Sequence, residues 1–449
     1  MFDTTGLARI QRFVKQPSIS ADGTGITEMA ALLQEEIRDL SGSSRLFKTN
    51  GHPVVYGEIN AGAAKTLLVY GMYDVQPVEG ESWMVPPFSA EIVDLPDVGR
   101  SVVSRGAYNT KGPLAGFFNA LHAAQRTGPL PINIKFLIEG EEEMQSKHLK
   151  DVVRANHDLL KADYAYFPFY SEDPQGKPMV FLGVKGILFF ELVAKGGDHG
   201  GPVGRDIHGS NAVWFHNPAW DLIQALSSMM SRDQKHILID GFYDDVDPPS
   251  SEDEALLAAL GKTFTAQTEL DTQAVKRFKY ALEGVPLLKK YLYQPTLNID
   301  GLVSGHYGAG TKTVIPHEAR AKMDIRMVPA MQPERVIRLV RDHLDRHGFE
   351  HIDMEVNDSY SWAKTPASNP AAQAMIHAMQ ALGTDPEVWP HLAGSAPFYL
   401  FTKELGLPLA EGGLGHGGRP HSPDEYATVG GMKRFEASVL HFLYNLGGA

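Results

Sequence analysis

Cysteine is absent from all 449 residues. That excludes disulfides, thiolate metal sites and a cysteine nucleophile. Positive charge is in short supply: 41 Lys and Arg stand against 54 Asp and Glu, a formal net charge of −13. This argues against nucleic-acid binding, which wants a basic face, and a mild acidic surplus of this kind serves solubility. No apolar run approaches the ~18 residues of a membrane span. The opening MFDTTGLARIQRFV carries Asp3 and has neither the basic segment nor the long apolar stretch of a secretory leader. A cytoplasmic setting is expected, with no membrane partner. Internal repeats and low-complexity tracts are missing too. With 43% hydrophobic residues and few biased stretches the chain is globular, and its length fits two domains.

The first third alternates helix and strand. Helical periodicity covers 24–40 and 112–125, and SKHLKDVVRANHDLL reads as a further helix. TLLVYG at 66–71, INIKFLIEG at 132–140 and ADYAYFPF at 162–169 read as buried strands. Strands separated by helices imply an α/β fold, a mostly parallel sheet with helices on both faces. In such sheets chemistry gathers just beyond the carboxyl ends of the strands. The loops to watch are GMYDVQP, EGEEEMQS and FYSEDPQGKP.

Near residue 185 the pattern changes. Residues 187–194 and 318–329 look like half-buried antiparallel strands, and NPAWDLIQALSSMM and PERVIRLVRDHLDRHG look like helices. An inserted α+β domain over 186–361 is expected, flanked by 1–185 and 362–449 as the two parts of one catalytic domain. After Trp362 helices are predicted at 370–382, 397–405 and 429–446, with a strand near 386–390. The acidic, Pro/Ser-rich run at 240–256 reads as a solvated loop.

Eight stretches in order carry a resemblance: YGMYDVQP, SRGAYNTKGP, EGEEE, RDIHGS, KTVIP, DIRMVP, AGSAP and RPHSPDEY. Together they are similar to the M20 family of metallopeptidases and amidohydrolases, near its carnosinase-like dipeptidase branch, over about residues 7–445. The resemblance implies a catalytic α/β domain with two metal ions and an inserted lid domain that usually dimerises. Two ions share a carboxylate and a water, lowering the water's pKa and polarising the substrate carbonyl. A glutamate moves the proton, and a lid histidine steadies the oxyanion.

Carried over residue by residue, the resemblance makes Glu142 the proton shuttle, with Glu143 and His421 as ligands of the second metal. His208 takes the lid histidine's role, and Arg326 binds a substrate carboxylate. Thr313, Ser395 and His391 are further substrate contacts, and Asp74 is an orienting acid that here holds Lys111 or a water. His416, five residues before His421, stands as a substitute ligand, a substrate contact or a plain loop histidine. The first metal's positions depart from the pattern: Met72 replaces a histidine, Asn109 the bridging aspartate, and Phe169 a further aspartate. A thioether suits zinc poorly beside oxygen ligands, and a phenyl ring cannot ligate. Asn109 offers at most a neutral carbonyl oxygen.

Bland readings compete with each of these. An acid run is usually a solvated face, a lone histidine a structural hydrogen-bonder, and a strand arginine a surface residue. If no metal lies between Glu142 and Glu143, their repulsion raises one pKa. The expected protein is a homodimeric hydrolase acting on a C–N bond of a small, carboxylate-bearing, dipeptide-like substrate. It would use one divalent ion, zinc or manganese, or none. Two alternatives stay open: a metal-free acid–base enzyme (isomerase, cyclase or lyase) and a non-catalytic binding protein.

Overall fold

The apolar run TLLVYG forms the strand Thr66–Met72, the centre of a six-stranded sheet in the computed structural model. The model describes residues 4–173 and 175–448; Met1–Asp3, the start of the segment read as lacking a leader's features, lie outside them. By spatial order the strands are Ser43–Phe47, Val54–Ile59, Asn133–Glu139, Thr66–Met72, Tyr164–Phe167 and Leu409–Glu411. The last four run parallel to one another, and the first two complete the sheet antiparallel. Alternation along each strand sends side chains to opposite faces. On one face Phe136 and Tyr166 pack against Phe117 of the helix Lys111–Gln125 and Phe442 of the helix Val429–Gly447. On the other, Tyr70 and Phe167 meet Phe398 and Phe401. The sheet is thus buried on both sides, which is why its central strand reads as an unbroken apolar run.

The chain divides into two compact units, Met1–Gly183 with Lys364–His391 and Phe398–Ala449, and Val184–Ala363 with Leu392–Pro397. The second unit is built on an antiparallel sheet ordered Asn298–Ser304, Glu318–Met327, Gly186–Lys195, Asp353–Tyr360. Its core joins Leu188, Phe190, Met323 and Ile325 to Leu222 of the helix Pro218–Met229 and Val336 of the helix Pro333–Arg346. Ile299, Leu302 and Val303 on the edge strand are exposed.

Three expectations shift. The helix read over SKHLKDVVRANHDLL is confined to Leu149–Ala155, because the Asn156 side chain bonds back to the Val152 carbonyl and ends it. Residues 397–405 wind as a wide π-type turn over Leu400–Glu404. The acidic run at 240–256 is not all loop: the helix Ser251–Leu260 begins inside it. Ser250 and Asp253 form a reciprocal capping box there, and the acids of its first turn face the positive end of the helix dipole. Among the described residues no helix is long and apolar enough to cross a membrane.

Candidate active site

Two neighbouring strand ends, Met72 and Glu139, are register partners, and the loops that leave them carry the acids. Asp74 is fully buried, and its carboxylate accepts the backbone N–H groups of Glu142 (3.1 Å) and Glu143 (3.0 Å). Burial, then the charge of Glu143, pushes its pKa up to about 7. The loop crosses Tyr73 at Gly140, where a Cβ would stand 2.4 Å from that ring. Only glycine fits so close a crossing. The expectation that Asp74 holds Lys111 is not met. The Lys111 ammonium donates to the Gln16 carbonyl (2.6 Å) and Ser18 Oγ (3.1 Å) instead.

Glu142 is half-buried, and among the described residues its carboxylate has no hydrogen-bond partner. Desolvation, followed by the charges of Glu143, Asp74 and Glu139, drives its pKa well above the carboxylate range. Glu143 beside it is fully engaged. Its Oε1 accepts from Asn109 Nδ2 (2.9 Å) and its Oε2 from Gln76 Nε2 (2.8 Å). His421 Nε2 lies 3.1 Å from Glu143 Oε2 and 3.0 Å from Asn109 Nδ2. That nitrogen has one role at a time: neutral, it can accept from Asn109; protonated, it donates to Glu143. The hydrogen bond to Glu143 raises the pKa of His421.

Two long-range contacts set this cluster. Glu425 Oε1 accepts the backbone N–H groups of Tyr108 (3.0 Å) and Asn109 (2.8 Å), and its Oε2 accepts from buried Arg105 (3.1 Å). Arg105 also reaches Glu81 at 2.9 Å. The loop bearing His421 turns through left-handed conformations at Arg419, His421 and Asp424 (φ 59°, 57° and 59°). Non-glycine residues adopt these at a cost, and such strain clusters at functional sites. Arg105, Glu425, Gln76 and Glu81 went unassigned in the sequence. The first three lie inside the quoted motifs, which was the available signal.

Other predicted residues fall elsewhere. Met72 is buried, and the Phe169 ring packs at 5.0 Å from Tyr108 and 6.2 Å from Phe167. His416 is buried with both ring nitrogens engaged, by the Glu172 carbonyl (3.0 Å) and the Tyr426 hydroxyl (3.1 Å). This fits the structural reading rather than a ligand. His391 is buried. Glu411, at the end of its strand, is buried with Oε1 unpartnered among the described residues, and burial lifts its pKa to about 8.

Within the second unit two pairs come together. Arg326 donates to Ser395 Oγ (2.9 Å), which bonds in turn to the Gly186 carbonyl (3.2 Å). His208 Nε2 sits 3.2 Å from Thr313 Oγ1, and its Nδ1 is 2.8 Å from Ser210 Oγ. Buried Lys185 donates to the carbonyls of Tyr291 (2.6 Å) and Gln294 (2.9 Å). Desolvation, and then the charge of Arg326, lowers its pKa to about 7.

Residues 68–445 match Peptidase family M20/M25/M40, and the chain belongs to that family. It is a hydrolase by descent, dipeptidase-like in sequence. The solved M20 family metallo-carboxypeptidase Sso-CP2 from Sulfolobus solfataricus is 36% identical, with 100% of each chain covered and a TM-score of 0.92. Cys-Gly metallodipeptidase DUG1 of Candida albicans is 28% identical over 458 residues, 94% of this chain and 90% of that protein. Beta-Ala-His dipeptidase of Homo sapiens is 31% identical over 299 residues, 65% of this chain and 56% of that protein.

The family implies a pair of metal ions, and the side chains here do not fit one. Among the described residues no group of three or more His, Asp or Glu is arranged to hold an ion. A thioether, an amide and a phenyl ring stand at Met72, Asn109 and Phe169. The carboxylate of Glu143 is already engaged by two amides.

Proposed function

We propose that this chain hydrolyses a C–N bond in a small dipeptide-like compound that carries a free carboxylate, with Glu142 moving the proton. The observation that carries this reading is Glu142 itself. Its carboxylate is free of partners in a loop pinned by Asp74, while its neighbour Glu143 is fully engaged. Glu142 takes a proton from water as the water oxygen attacks the carbonyl carbon. It returns that proton to the nitrogen as the C–N bond breaks. Arg326 holds the substrate carboxylate through its guanidinium, with Ser395 and Thr313 as polar neighbours. The names of two relatives, both dipeptidases, support the substrate class, and the carboxypeptidase supports the free carboxylate. The reading has room for at most one divalent ion, on Glu143 and His421.

The unit at about 186–361 serves as lid and as the interface of a homodimer, with His208 acting across subunits. Its exposed edge strand, with Ile299, Leu302 and Val303 on the surface, supports that role. Mixing inactive His208→Ala and Glu142→Ala proteins then restores activity. No recovery after demonstrated subunit exchange removes the shared site.

A second reading, metal-free isomerase, cyclase or lyase chemistry, is favoured by the Asn109 amide between Glu143 and His421. Product masses from a panel of dipeptides and N-acyl amino acids separate the two. Hydrolysis adds one water; isomerisation leaves the mass unchanged; cyclisation or elimination loses a small molecule. A panel in which nothing turns over while a small ligand binds tightly would leave only a binding role.

A further inference from the structure

We propose that Asn109 closes the inherited metal pocket: its amide, with that of Gln76, braces Glu143 and His421 in place with no divalent ion. This deepens the hydrolase reading above and rests on its choice of site. An amide NH₂ carries two hydrogens. In Asn109 one meets Glu143 Oε1 at 2.9 Å and the other, while Nε2 carries no proton, meets His421 Nε2 at 3.0 Å. Gln76 covers the remaining carboxylate oxygen at 2.8 Å. The Glu143 side chain is 5% exposed, so water does not provide its partners.

An ion entering here needs the lone pairs of Glu143 and the lone pair of His421 Nε2. Each Glu143 oxygen already accepts an amide hydrogen, and His421 Nε2 either accepts from Asn109 or, protonated, has no lone pair to give. The backbone that carries the brace is held. Glu425 fixes the backbone of Asn109 and Tyr108 from below, and Arg105 fixes Glu425. At two of the inherited positions no suitable donor remains: buried Met72 offers a soft thioether and Phe169 a ring packed on Tyr108. Among the described residues no group of three or more His, Asp or Glu is arranged to repay a divalent ion for the water it would shed. Amide hydrogens satisfy the oxygens of Glu143 without one. Orienting partners of this kind tune metal affinity by ~10–100-fold even where they only support ligands; here the amide takes a ligand's own place.

Asn109→Asp reverses the chemistry at a single position. It removes the donor, sets a second carboxylate against Glu143 and creates demand for a cation. The experiment is elemental analysis of the full chain after stripping with a chelator, exposure to excess zinc or manganese, and desalting. Thermal melts with and without chelator run alongside. The wild type is expected to carry far less than one ion per chain and to melt at the same temperature in both buffers. Asn109→Asp, and more so Met72→His with Asn109→Asp, should bind zinc at least ~100-fold more tightly than the wild type and melt lower when chelated. Wild-type protein that retains one or more ions per chain, or that is destabilised by chelator, overturns the proposal even if no variant folds. So does a folded Asn109→Asp protein as empty as the wild type. A metal-free protein that turns nothing over would instead sink the hydrolase reading and leave the brace standing.

Discussion

The strand-end cluster of the first unit and the Lys185–Arg326 region of the second carry opposite charge and meet burial in opposite ways. In the first, desolvation pushes Asp74 to about 7, Glu139 to about 8 and Glu142 well upward. In the second, it brings Lys185 down to about 7. Removing water disfavours charge of either sign, so both regions hold ionisable groups near neutrality. They differ in what satisfies those groups. The acids are met by backbone N–H groups and side-chain amides, at Asp74 and Glu143. Lys185 is met by carbonyls at the end of the helix Gly284–Tyr293, where the dipole welcomes a cation. The acids are thus met by amide hydrogens, while Arg326 beside Lys185 already faces Asp324 (3.4 Å) and Ser395 (2.9 Å).

The largest effect is expected at Arg105, the buried guanidinium paired with Glu425 behind the acid cluster. Arg105→Ala leaves that carboxylate buried and unpaired, at a cost of about 3–5 kcal/mol. A urea melt of the folded variant checks it, and a loss within error of zero would remove Arg105 from the account. Next in size is Arg326→Ala. Loss of a charged hydrogen bond costs about 1.5–3 kcal/mol, so substrates bearing a carboxylate should weaken by roughly 10- to 100-fold in kcat/KM. Neutral analogues should change little, and an equal effect on both would make Arg326 structural.

The smallest effects are expected in the pH dependence of stability. Glu411 has a folded pKa of about 8 against an ordinary 4.5, so the folded state binds the extra proton between those values. Its contribution to stability therefore falls as pH rises through that window. Lys185 is the mirror image. Its folded pKa of about 7 lies below the ordinary 10.5, so the unfolded state binds more protons between them and stability rises with pH there. Glu411→Gln should flatten the first slope and Lys185→Met the second. Chemical melts across both windows measure this, and unchanged slopes would mean that neither group titrates differently on folding.

Much of the scaffold was legible because periodicity is local. The central strand ends at Met72, one residue beyond the predicted run, and the acids of EGEEE do follow a strand. The contacts that decide the chemistry were not legible. The backbone of Asn109 is held by Glu425, more than three hundred residues away, a contact that no local pattern announces. Asp74 was expected to hold Lys111 or a water, yet the Lys111 ammonium turns to Gln16 and Ser18. The acidic run at 240–256 looked like a solvated loop because composition hides a capping box whose two partners are only three residues apart.

Replacing Glu142 by glutamine tests whether that carboxylate moves the proton. Gln keeps the shape and hydrogen bonding of the side chain but cannot carry a proton between water and a leaving nitrogen. With a substrate from the dipeptide panel, turnover should fall at least ~100-fold, the scale of general acid–base catalysis, while the substrate still binds. A Glu142→Gln protein that turns over at the wild-type rate would contradict the account.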